Sequence, residues 1–280
     1  MTKLTIGTLN KLEILRTSPH GLYLATSEGD ILLPQKYVTD SMQPGSEVEV
    51  FVYTDSQDRL VAVTDQPKAM LDDFASLTVK DVTTVGAFLD WGLEKDLLLP
   101  YREQLRPVKQ GENVVVRLAL DPRSGRMMAT SKINAFISRH MDELQEGQEV
   151  SLMVYDQTPL GYKALVNRRF KGLIYENEVF GPLQIGDERT GFVKKVREEG
   201  QLDLSLQQQG VAGLKDARSV LLQALRDAGG SLPLHDKSKP EDIQRQLQMS
   251  KKAFKKAVGI LYKERKIELS KEGIKLREKT

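Results

Sequence analysis

The sequence predicts a multidomain, mainly β protein: three tandem five-stranded barrels followed by a small α+β domain. Three observations predict it. A strand-and-turn pattern, clearest at residues 86–100 (G-A-F-L-D-W-G-L-E-K-D-L-L-L-P), recurs along the chain. Each copy leads into an alternating strand, a polar turn and a closing strand, and closing such short strands into a barrel removes exposed sheet edges. Past Gln207 the hydrophobic period changes from two to that of a helix, and the charge balance changes sign.

The repeat is quantitative. Asp30, Pro34 and Gly45 return as Asp96, Pro100 and Gly111 at a constant offset of 66, and Val48, Val50 and Val52 land on Val114, Val116 and Leu118. A fainter copy covers 172–196; its Gly186 lies 75 beyond Gly111, which predicts local insertions in the third unit. First strands are expected within 4–14, 77–82 and 149–155, and short helical segments at 35–42, 101–108 and 176–183. The turns at Gly125 and Gly200 read as hairpins, and 132–146 reads as a short helix leading into the third unit. The predicted barrels span 1–66, 67–137 and 138–210, and the last domain 211–280.

In that last domain Leu214, Ala217, Val220, Leu221, Ala224 and Leu225 share one helical face, and Gly229-Gly230 ends the helix. A second helix is predicted over 239–247 with Pro240 in its first turn. Ser250 is placed to cap a third, running to about Glu264. Two short strands then flank a turn at 271–273. Helix, helix, helix, hairpin is the order of a winged helix.

Composition narrows the function. The chain is 40% hydrophobic and 29% charged, as in ordinary globular proteins. It has no cysteine, no signal-peptide core and no apolar run of the roughly 20 residues that span a bilayer. A cytoplasmic protein with no membrane partner is expected. Net charge is +2, but residues 1–210 hold 24 Lys+Arg against 30 Asp+Glu, whereas 211–280 hold 17 against 9. A basic C-terminal module of this kind suits a polyanion, or simply solubility. The three histidines stand alone, Asp72-Asp73 and Glu198-Glu199 are explained by solvation, and no nucleophile, phosphate-loop or zinc motif occurs. No catalysis, cofactor or metal is expected.

Residues 86–100, the Gly111 strand and the M-M-A-T-S-K strand resemble the S1-type RNA-binding domain, an OB-fold barrel. The whole chain resembles the conserved virulence factor B (YitL-like) family of bacterial RNA-binding proteins. The resemblance implies three S1-type barrels, a winged helix and a regulatory role in gene expression. It also sets Gly21-Leu22-Tyr23 in the place of the second-strand G-x-F, and Leu33, Leu99 and Tyr175 at the third-strand ring position.

Such barrels bind single strands by stacking bases on rings flanked by cations. In the second barrel the candidates are Phe88 and Trp91, with Arg117, Arg123 and Arg126. Phe88 has two readings, a ring packed inside the barrel or one pointing out; its parity with Asp90 rather than Leu89 favours the second. Trp91 has two readings, core plug or exposed ring. In the third barrel Tyr162, Phe170 and Tyr175 interleave with Lys163, Arg168, Arg169 and Lys171, as a single-strand surface or as a hairpin edge covering the core. The first barrel, with Tyr23 and Tyr37 among 5 basic and 9 acidic residues over 1–66, is expected to be structural or protein-contacting.

On the third helix, at about 100° per residue, Phe254, Ala257, Val258 and Leu261 oppose Lys251, Lys252, Lys255, Lys256 and Lys263. The wing adds Lys271 and Lys275. Lysines without Asn, Gln or Arg predict phosphate binding with no base readout; a protein-docking face is the other reading. The expected partner is single-stranded RNA, bound with low sequence specificity by a non-enzymatic protein. The alternatives are a DNA-binding regulator led by the winged helix, and a protein-interaction scaffold.

Overall fold

The computed structural model describes residues 4–55, 57, 59–138, 140, 143–179, 181–197, 200–207, 211–270 and 273–277. Glu198-Glu199, Lys271 and the side chain of Leu214 lie outside that description. The chain forms two compact units, Met1–Phe136 and Ile137–Thr280.

The first unit contains two barrels. β1 (Leu9–Ser18), β2 (Gly21–Leu24), β3 (Ile31–Pro34), β4 (Glu47–Thr54) and β5 (Leu60–Val63) close in the order β1-β2-β3-β5-β4. β6 (Phe74–Thr83), β7 (Gly86–Asp90), β8 (Leu97–Pro100), β9 (Asn113–Leu120) and β10 (Met127–Thr130) form a nearly closed sheet, β10-β9-β6-β7-β8. In the second unit β11 (Glu149–Thr158), β12 (Gly161–Val166), β13 (Phe170–Tyr175), β14 (Glu188–Arg197) and β15 (Gln201–Ser205) close as the first five do.

The three share one device. The first strand pairs with two neighbours in succession: β1 meets β4 through residues 9–13 and β2 through 14–18. At the changeover the register slips between Ile14 and Arg16, and equally between Val79 and Asp81 and between Val154 and Asp156. These are β-bulges, which bend and twist a strand. A loop glycine secures each one: Gly45, Gly111 and Gly186 donate their N–H to the carbonyls of Ile14, Val79 and Val154 at 2.7, 2.8 and 2.7 Å. At the start of each second strand, Gly21, Gly86 and Gly161 have φ of +135°, +150° and +138°. A Cβ there would strike the carbonyl of Leu33, Leu99 or Ile174 on the next strand, so only glycine fits.

Two sequence expectations need correcting. Gly161, Tyr175 and Gly186 each lie 75 positions beyond Gly86, Pro100 and Gly111, so the extra length precedes the third barrel instead of interrupting its second to fourth strands. The stretch 132–146 holds one 3-10 turn, Ile133–Phe136, and no longer helix among its described residues. Within that turn only Ile133 is buried, too little apolar surface to hold a longer helix. The segments after β3, β8 and β13 likewise contain single 3-10 turns, Gln35–Tyr37, Tyr101–Glu103 and Glu176–Glu178.

The two barrels of the first unit share apolar packing. Phe51 and Tyr53 on β4 join the core of the second barrel, whereas Val50 and Val52 line their own. β4 is therefore buried on both faces, and its sequence runs from alternation into the continuous F-V-Y. Trp91, just past β7, meets Phe51 and Tyr53 edge-on, at 5.7 and 5.9 Å between ring centroids. Its indole N–H donates to the Lys95 carbonyl at 2.5 Å, and Lys95 Nζ donates to the carbonyls of Thr54 and Asp55 at 2.9 and 2.8 Å.

The winged helix comprises α1 (Val211–Asp227), β16 (Ser231–Leu232), α2 (Pro240–Leu247), α3 (Lys251–Lys263), β17 (Ile267–Leu269) and β18 (Ile274–Leu276), with strand order β16-β18-β17. Leu221, Leu225, Ile243, Phe254, Leu261, Ile267 and Ile274 form its core. Ser250 Oγ accepts from the Ala253 N–H at 3.1 Å and caps α3. The third barrel touches it through Gln244 Nε2, which donates to the Val179 carbonyl, and Gln207 Nε2, which donates to the Gln248 carbonyl, both at 3.0 Å.

Two predictions test the shared packing. Trp91→Ala should cost the first unit about 3–5 kcal/mol, the cost of deleting a buried aromatic, measured by urea unfolding of the full chain. Burial pushes the Tyr53 hydroxyl up from 10.0 to about 12. The folded state therefore keeps its proton longer than the unfolded chain does. The stability it contributes is complete below pH 10.0 and is lost as pH rises toward about 12. Alkaline unfolding followed by circular dichroism should show a shallower pH slope in Tyr53→Phe.

Candidate nucleic-acid interface

The repeated glycine and bulge fix which side chains face outward. Two residues past Gly21, Gly86 and Gly161 stand Tyr23, Phe88 and Lys163, all half-buried. Across the bulged strand they meet Arg16, Asp81 and Asp156; on the other side they meet Leu32, Leu98 and Leu173. The same place therefore carries a ring beside a cation, a ring beside an acid, and a lysine beside an acid. In the first barrel the Arg16 guanidinium lies 3.6 Å above the Tyr23 ring. Arg16 and Tyr23 are close along the chain, but only the bulged pairing of β1 with β2 sets them opposite each other, which the sequence pattern alone does not show. The glycine two residues before the ring was the available signal.

Three predicted stacking rings are corrected. Trp91 is 1% exposed and occupies the packing described above. Tyr162 and Phe170 are 9% and 2% exposed and belong to the core of the third barrel. Tyr162 stands where Leu22 and Ala87 stand, and the outward place belongs to its neighbour Lys163. Tyr175 is half-buried but matches Pro34 and Pro100; Leu33 and Leu99 correspond to the buried Ile174. Its hydroxyl accepts from Arg197 at 2.6 Å and donates to Asp203 at 3.3 Å, and Lys194 Nζ lies 6.0 Å from the ring.

Most predicted barrel cations are already engaged. Arg117 pairs with Asp72 at 2.5 Å and lies 4.1 Å over the Phe136 ring. Lys163 pairs with Asp156 at 2.8 Å, Arg168 with Glu188 at 2.9 Å, and Arg169 with Glu143 at 2.8 Å. Lys194 pairs with Glu178, and Arg197 with Asp203. Arg123 and Arg126 are exposed on the β9–β10 turn. Half-buried Lys171 has no ion-pair partner among the described residues. A cation held by a carboxylate offers little net charge to a phosphate.

The third helix differs. Lys252, Lys255, Lys256 and Lys263 are exposed and Lys251 is half-buried, while Phe254, Ala257, Val258 and Leu261 are buried beneath. Among the described residues none of these five lysines has an ion-pair partner. Lys275 is exposed on β18.

Barrels of this topology followed by a winged helix define a nucleic-acid-binding architecture, assembled from binding modules. A family model described as "S1 domain" matches residues 6–65, and one described as "CvfB-like winged helix domain" matches 219–276. The YitL protein of Bacillus subtilis is 33% identical over 91% of this chain and 88% of its own length. Conserved virulence factor B of Staphylococcus epidermidis is 27% identical over 96% of each chain. A solved Streptococcus pneumoniae structure, described as a multidomain protein with nucleic acid binding domains, is 24% identical over 97% of this chain and 98% of that one, with a TM-score of 0.46. The chain belongs to the conserved virulence factor B (YitL-like) family. Among the described residues no helix is long and apolar enough to cross a membrane.

The ion pairs of the third barrel yield a prediction. Glu143→Gln should release Arg169 and steepen the log–log salt dependence of polyanion binding by about 0.7, the value of one added phosphate contact on a single strand. Titration at several salt concentrations measures it; an unchanged slope would show that the Glu143 pair does not limit binding.

Proposed function

We propose that this protein is a non-enzymatic, cytoplasmic RNA-binding regulator of gene expression that holds single-stranded RNA with low sequence specificity. The observation that carries the reading is the lysine face of α3, whose charges lack acidic partners among the described residues. Lysine acts on phosphate as a point charge, and α3 itself carries no Asn, Gln or Arg to add bidentate base contacts. Tyr23 and Phe88, on the outward face of S1-type barrels, supply ring surface for unpaired bases. Arg126, Lys171 and the half-buried ring of Tyr175 are further contacts under the same reading.

Binding of labelled single-stranded RNA, single-stranded DNA and duplex DNA at several salt concentrations tests this. RNA should be held best, and replacing Lys252, Lys255 and Lys256 together by alanine should flatten the salt slope by about 0.7 for each lysine that contacts phosphate. Tyr23→Ala and Phe88→Ala should each cost about 1–3 kcal/mol of affinity, the worth of one stacked base. A duplex preference that disappears with the lysines would replace this reading with a DNA-binding regulator. Absence of any nucleic-acid binding at low salt would leave a protein scaffold.

A further inference from the structure

The lysine face of α3 ends at a groove that the sequence reading did not identify. Tyr262, Lys263, Arg265, Ile267, Glu268, Leu269 and Arg277 line a space of about 490 Å³ between the end of α3 and β17, within the range of small-ligand sites. Tyr262 is 56% exposed and Leu269 50%, two large apolar groups facing solvent at the end of the lysine-bearing helix. Lys263 and Arg265 are exposed and have no ion-pair partner among the described residues, whereas Arg277 is held by Glu268 at 3.3 Å.

Gly259 points to the same occupant. It sits in the middle of α3, on the exposed face between Lys252 and Lys256 on one side and Lys263 on the other. Glycine weakens a helix interior relative to alanine, yet a Cβ at this position would meet nothing within 4 Å. Among the described residues no neighbour crowds this position. A residue that costs helix stability and leaves bare backbone between lysines suits a chain that lies close against the helix.

We propose that this groove is a nucleotide subsite for single-stranded RNA. One unstacked base lies on the Tyr262 ring against Leu269, its phosphate is held by Lys263 and Arg265, and the preceding sugar-phosphate backbone passes over Gly259. The proposal rests on the RNA-binding reading above and adds to it a base contact on the winged helix, which the lysines alone do not provide.

The test compares the full chain binding a labelled oligouridine with its binding of an abasic oligomer of equal length. Tyr262→Ala should weaken oligouridine binding at least about fivefold and leave abasic binding and Tm unchanged; Tyr262→Phe should restore oligouridine affinity. Gly259→Ala should raise Tm yet weaken both oligomers. Full oligouridine affinity in Tyr262→Ala, or Gly259→Ala binding as well as the parent, would overturn the subsite while RNA binding stands. A glutamate-rich peptide that displaces oligouridine only when Tyr262 is intact would overturn it in favour of protein docking. Failure of the unmodified chain to bind either oligomer at low salt would overturn both readings.

Discussion

Each barrel depends on one hydrogen bond, made three times, from a loop glycine N–H to the carbonyl at the bulge of the first strand. That strand must pair with one neighbour along its first half and with another along its second. A straight strand would present the same parity throughout and would leave the sheet open. The bulge inserts a residue, bends the strand and reverses its parity: Leu12 and Ile14 face inward before it, and Arg16 faces outward after it. Closure of the barrel and composition of its outer face thus follow from the same slip. Arg16, Asp81 and Asp156 reach the places opposite Tyr23, Phe88 and Lys163 because of it.

The parts of the fold carried by local pattern were legible. Gly45 and Gly111, the alternating strands that follow them, and the apolar side of α3 are short-range signals with a fixed period. Trp91 was not decidable, because its partners Phe51 and Tyr53 come from the preceding barrel. Tyr162 was misplaced by one residue, and in a strand one residue is the difference between core and surface. Aligning Gly161 with Gly86 instead of reading rings next to arginines puts Lys163 in the outward place. Arg16 over Tyr23 was invisible for the complementary reason, since that contact exists only once β1 and β2 are paired.

Charge was legible as a total but not as an available quantity. The third barrel and the third helix both look basic in local sequence. In the barrel, Lys163, Arg168 and Arg169 face carboxylates brought near by strand pairing and by the segment before β11. On α3 the first turn carries no acid, and the lysines point away from the packed face. Exposed pairs are worth little to stability, yet each one reduces the charge that a polyanion meets. Counting signs along a sequence therefore overstates the third barrel relative to the winged helix.

This separation bears on how the proposed RNA contact is built. The outward barrel rings Tyr23 and Phe88 lie in the first unit, where Phe51, Tyr53 and Trp91 bind two barrels into one body. The α3 lysines, which have no acidic partner among the described residues, lie in the second unit, on a helix capped by Ser250 and packed through Phe254 and Leu261. Stacking is tolerant of sequence and only weakly sensitive to salt, whereas phosphate contact is set by salt. Under the proposed reading, barrel stacking in the first unit and lysine contact in the second gain from linkage what neither gives alone, because the second contact forms at the effective concentration set by the first. Under the proposed reading, the different side chains at the three outward places, on a scaffold held constant by glycine and bulge, alter the strength of the stacking contribution without disturbing the fold.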